Sequence, residues 1–131
     1  MNSSKINKLY ELPNSEKKVL ESIPEQSARN FLKRLINFLN DSKAEEIVLV
    51  IPKNKFTYTD YLIICQGRSH LHCRSIVQNV NYNMKKEGAI SFSIEGEREG
   101  NWSLLDYGEV ILHVFHPEIR KYYNLEELFT S

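Results

Sequence analysis

Four groups of residues carry chemistry-bearing types at suggestive spacings. The first is Gly67-Arg68-Ser69, a short turn that opens a helix. The N–H groups of such a turn can cradle a phosphate. A transferase built on that turn also needs two carboxylates close together to hold a divalent cation, in the usual arrangement an Asp-x-Asp soon after the helix begins. Here the residues after Ser69 are His-Leu-His-Cys-Arg-Ser-Ile-Val, with no acid until Glu87. Glu95 and Glu97 do sit together, but beyond the whole helix and beside a turn, where Arg98 and Arg68 can pair with them. A metal-dependent nucleotide site therefore lacks its centre. The second group is His70, His72, Cys65 and Cys73, whose types suit zinc. His70 and Cys73 share a helical face, but His72 points elsewhere and Cys73 belongs to an apolar stripe. Two solvated histidines and two buried thiols describe these residues better. The third is His113, alone in an apolar strand. With no nucleophile near it in sequence, it reads as a core histidine satisfied by a neighbour rather than a general base.

The fourth group is of another kind. Trp102-Ser-Leu-Leu-Asp106 alternates with period two, which puts Trp102, Leu104 and Asp106 on one face of a strand and Ser103, Leu105 and Tyr107 on the other. A carboxylate ending an apolar row is costly to bury unpaired, so the Trp102 face is expected to be partly exposed. A large amphipathic aromatic beside a fixed charge is the composition of an interface anchor, worth roughly 2–4 kcal/mol on truncation. Packing of Trp102 under a helix or the N-terminal arm is the plainer alternative.

These residues need a scaffold, and the chain supplies one. Its 131 residues fit one domain, with enough chain to bury a core without disulfides. Lys plus Arg and Asp plus Glu each number 17, so no overall basic field exists to drive phosphate binding, although a local basic patch would be compatible. The two cysteines read as reduced core thiols, no apolar run is long enough to span a bilayer, and the expected location is the cytoplasm. Residues 1–23 are polar and weakly periodic, with one short helix around Ser15 to Leu20, and are expected to form a mobile or loosely docked arm. Ser22-Ile-Pro-Glu25 has capping-box spacing ahead of a helix with apolar positions at Ala28, Phe31, Leu32, Leu35, Ile36 and Leu39. Strands are expected at Glu46–Ile51, Tyr61–Cys65, Ile90–Ile94 as an edge, Trp102–Asp106 and Val110–Phe115. Ser69 caps a helix with Cys73, Ile76, Val77, Val80 and Met84 on one face, and Pro117 opens a last short helix. Leu125, Leu128 and Phe129 are expected to close the core, and Arg120 to pair with Asp106 or Glu126 on charge alone. The order αββαβββα gives an α/β (α+β) domain, a mixed sheet of about five strands flanked by helices.

The run Trp102-Ser-Leu-Leu-Asp106-Tyr107-Gly108-Glu-Val-Ile-Leu-His113-Val-Phe115 resembles the signature of the ribosomal silencing factor (Iojap-like) family. Thr59-Asp60-Tyr61, Gly67-Arg68-Ser69, Glu95-Gly96 and Arg120-Lys-Tyr122-Tyr123-Asn-Leu125-Glu126-Glu-Leu128 agree with it, in order. The resemblance covers roughly residues 28–131, places the domain at 24–131, and leaves residues 1–23 as the unmatched arm. It implies a nucleotidyltransferase-like topology without the catalytic motif, no enzymatic activity, and no cofactor or metal. It further implies binding to the large ribosomal subunit through its protein numbered fourteen, which blocks joining of the small subunit and represses translation. Direct nucleic-acid contact is expected to be minor. The partner-binding residues it points to are Trp102, Leu104, Leu105, Asp106 and Tyr107. Two other readings stay open: a nucleotidyltransferase-like nucleotide-binding enzyme, and a homodimer in which the Trp102 face of the free protein meets its own copy.

Overall fold

The computed structural model describes residues 8–12, 14, 16–51 and 61–124. Their elements run β1 (Lys8–Glu11), α1 (Glu16–Ser22), α2 (Gln26–Asp41), β2 (Glu45–Ile51), β3 (Tyr61–Gln66), α3 (His70–Lys86), β4 (Ser93–Glu95), β5 (Trp102–Asp106), β6 (Val110–Phe115) and α4 (Pro117–Tyr123). From α2 onward this is the order expected from hydrophobic periodicity. The strands form one six-stranded sheet in the order β1-β2-β3-β6-β5-β4. All neighbours are antiparallel except β3 and β6, whose parallel pairing spans Tyr61↔Val110 to Gln66↔Phe115. A parallel pair needs a crossover, and α3 lies within the one joining β3 to β6.

The two sheet faces are covered unequally. On one, Leu32, Leu35, Ile36 and Leu39 of α2 and Cys73, Ile76, Val77, Val80 and Met84 of α3 pack against Leu49, Ile63, Leu105, Leu112 and Val114. The other face has a smaller cluster of Val48, Val50, Leu62, Ile64 and Phe115, with Trp102, Ile111 and Ile119 packed against it. β2, β3 and β6 are apolar on both parities because both of their faces meet apolar neighbours.

The described part of residues 1–23 contributes two elements ahead of the expected order. β1 pairs with β2 from Lys8↔Ile51 to Glu11↔Val48 and extends the sheet from about five strands to six. α1 sends Val19 and Leu20 into the main core, and Ile23 follows them. Ser22 does not cap α2. Its Oγ donates to Val19 O at 2.6 Å inside α1. Pro24 disfavours helical backbone at Ile23, so the first helix stops there and a second starts after Glu25. Glu25 makes no side-chain cap and instead accepts from Tyr61 Oη at 3.2 Å. The expected β4 shortens to Ser93–Glu95, leaving Ile90 and Phe92 exposed ahead of it. Asp60 and the core-closing role of Leu125, Leu128 and Phe129 lie outside the described residues.

Candidate functional site

β5 is positioned by its register with β6. Trp102 stands opposite Phe115, Leu104 opposite His113, and Asp106 opposite Ile111. Residues directly opposite share a face. The alternating burial of β5 then sorts its side chains: Ser103 and Leu105 are buried toward α2 and α3, while Trp102, Leu104 and Asp106 are half-buried on the other face.

Trp102 is held on three sides. Its ring stacks on Phe115 at 4.9 Å between centroids and lies tilted against Tyr123 of α4 at 5.1 Å. Its Nε1 donates to His113 Nδ1 at 3.0 Å. An indole N–H can only donate, so His113 Nδ1 must be the unprotonated nitrogen and the neutral ring carries its proton on Nε2. Burial pushes the His113 pKa down to about 4. His113 is thus a buried histidine satisfied by a neighbour, and that neighbour is the tryptophan of the candidate site. The sequence placed both residues on strands. The register that joins them depended on the length of the Tyr107-Gly108-Glu109 turn, which periodicity leaves open.

At the far end of β5, Asp106 Oδ1 accepts from Gly108 N at 2.8 Å, and Gly108 takes φ +88°. The carboxylate is therefore set by its own turn. Of the two partners expected for Arg120, Glu126 lies outside the described residues and Asp106 is not one it meets. Arg120 is buried, and its Nη1 donates to Glu46 O at 2.8 Å and Gln66 Oε1 at 3.2 Å, tying α4 to the bulged start of β2. The remaining two expected site residues fall on the opposite face. Leu105 is 0% exposed, inside the main core. Tyr107 meets Phe31 of α2 edge to face at 5.2 Å. Its hydroxyl is buried without a hydrogen-bond partner among the described residues, and burial pushes its pKa up to about 12. The five residues therefore divide into three that line one face and two that brace it from behind. Tyr122 and Tyr123, of which one was expected to face the core, are both exposed and meet each other edge to face at 5.1 Å, so they extend the aromatic surface beyond Trp102.

The other chemistry-bearing residues are engaged in structure. Ser69 accepts from His72 N at 3.1 Å as the cap of α3. His72 accepts from Arg68 N at 2.9 Å through Nδ1 and meets Ser42 O at 2.8 Å through Nε2, as a neutral ring protonated on Nε2 would. Cys73 Sγ donates to Phe115 O at 3.3 Å, and burial raises the pKa of Cys73 and pushes that of Cys65 up to about 12, which makes both poor thiolate ligands. His70 stacks on His116 at 4.3 Å. Among the described residues no group of three or more His, Cys, Asp or Glu is arranged to hold a metal, and no helix is long and apolar enough to cross a membrane.

Comparison with known proteins agrees with this fold. The family model described as "Ribosomal silencing factor during starvation" matches residues 25–131. The chain is 33% identical over 103 residues to ribosomal silencing factor RsfS of Halalkalibacterium halodurans, covering 79% of this chain and 88% of that protein. It is also 33% identical to the RsfS of Bacillus subtilis, covering 77% of this chain and 86% of that protein. A crystal structure from Chromobacterium violaceum superposes with a TM-score of 0.72 at 29% identity, covering 77% of this chain and 84% of that one. One from Bacillus halodurans superposes with a TM-score of 0.68 at 32% identity, covering 76% and 93%. The chain belongs to the ribosomal silencing factor family.

Proposed function

We propose that this chain is a non-enzymatic translation repressor that binds the large ribosomal subunit through its protein numbered fourteen and sterically blocks joining of the small subunit. One observation carries this: Trp102, Leu104 and Asp106 form a row on the thinly covered sheet face, with the indole and the carboxylate each fixed in advance by its own hydrogen bond. Surface groups ordered before contact lose little entropy on binding, which suits them to be interface anchors. A second support is the mouse relative, 29% identical over 99 residues, which is named mitochondrial assembly of ribosomal large subunit protein 1. Action by occupancy needs no reacting group, so the commitment of Ser69, His72 and Cys73 to internal hydrogen bonds is no obstacle.

Leu104 gives a cleaner probe than Trp102. Truncating Trp102 strips His113 and Phe115 of a partner and so confounds binding with stability, whereas Leu104 is half-buried and makes no hydrogen bond through its side chain. Leu104→Arg is expected to lower co-sedimentation with purified large subunits at least tenfold while the melting temperature stays within a few degrees of wild type. Undiminished binding by a folded Leu104→Arg protein would remove this face as the contact.

A further inference from the structure

The Trp102 face does not stop at β5. In register, Glu95 of β4 stands opposite Leu104 and Ser93 opposite Asp106, so Glu95 lies on the same face as the candidate anchors. Beyond Ser93 comes Phe92, which at 79% exposure is nearly free of cover. Its backbone is fixed to the site, because Phe92 N donates to Asp106 O at 2.7 Å. Its ring lies over the turn that Asp106 caps: a Cβ on Gly108 would stand 2.8 Å from Phe92 Cε2. One residue, Asp106, thus holds Phe92 through its carbonyl and the Gly108 turn through its carboxylate. The Asp106 turn therefore sets both the backbone of Phe92 and the place of its ring.

The charges on the three strands of this face have one sign, while Arg98 stands in the turn between β4 and β5 and Lys121 in α4. β4, β5 and β6 contain Glu95 and Asp106 and no Lys or Arg, although the whole chain carries as many basic as acidic residues. Two carboxylates around Trp102, Leu104 and Phe92 repel phosphate and attract cations. We propose that the contact surface runs from β5 across the edge strand β4, with Phe92 and Glu95 as contact residues, and that it fits a partner protein surface whose Lys or Arg side chains surround an apolar centre. This rests on the proposed binding to the large subunit and specifies the chemistry of the surface that is met there.

The test is co-sedimentation of the full chain with purified large subunits over a range of salt concentrations. The variants are Phe92→Ser and Glu95→Lys, with Tyr82→Ser as a control on α3, against the opposite sheet face. All three positions are exposed, so the fold is expected to persist. Phe92→Ser should weaken binding about tenfold. Glu95→Lys should weaken it similarly and flatten its salt dependence, and Tyr82→Ser should bind as wild type. Wild-type binding that neither Phe92→Ser nor Glu95→Lys reduces would overturn the extension and leave the proposed function standing. Tighter binding by Glu95→Lys would mean that the facing surface is ribosomal RNA phosphate, which also overturns the inference. Failure of the wild type to pellet would remove the proposed function, and the extension with it.

Discussion

At the residue scale, the Trp102–His113 pair is the most informative contact. The hydrogen bond exists only while His113 is neutral, since a protonated imidazole would turn Nδ1 into a second donor facing Nε1. Burial lowers the His113 pKa from an ordinary 6.5 to about 4 in the fold. The unfolded chain therefore binds a proton that the native state refuses between these values. This contribution to stability is complete above pH 6.5, is lost as pH falls toward 4, and changes no further below that. The full swing is about 3 kcal/mol. Urea unfolding of wild type and His113→Gln at pH 7 and pH 4.5 should show the wild type losing more stability over the interval. Parallel losses would mean that His113 does not refuse the proton. The alternation of Trp102, Leu104 and Asp106 was legible in the sequence because side-chain period depends only on strand geometry. The His113 partnership was not, because cross-strand register depends on the turn between the strands. The family motif is a continuous run that takes in Leu105 and Tyr107, whereas the pleat turns these two toward the core.

Elements were easier to read than their ends. α2 and α3 announce themselves by apolar spacing, and Ser69 announces where α3 starts. Its hydroxyl oxygen is taken up by His72 N–H, so Ser69→Ala should cost about 1 kcal/mol of stability and leave large-subunit binding unchanged. Denaturant midpoints together with co-sedimentation would check both parts. Loss of binding without loss of stability would instead give the Gly67-Arg68-Ser69 turn a ligand. Ser22-Ile-Pro-Glu25 misled because a capping box and the end of a preceding helix look alike in sequence, and the backbone restriction before Pro24 decided between them. β1 left too little pattern to read. It is a four-residue edge strand, Lys8-Leu-Tyr-Glu11, with no alternation of apolar and polar residues, paired with β2 from Lys8↔Ile51 to Glu11↔Val48.

At the scale of the whole molecule, coverage of the sheet is what creates a surface. Three helices pack over one face, while Trp102 and Leu104 on the other stay half-exposed, with Phe92 and the α4 tyrosines at the two ends of the row. That half-exposed row of Trp102, Leu104 and Asp106 is the contact surface proposed above. Function by occupancy makes one demand that no enzyme reading shares: a stoichiometric effect on subunit joining. The direct measurement is sedimentation of purified large and small subunits mixed under joining conditions, with this protein added from zero to a twofold excess over large subunits. The account predicts that joined ribosomes fall in proportion to protein added, with the protein migrating on free large subunits and Leu104→Arg without effect. Undiminished joining at full occupancy of the large subunit would contradict it.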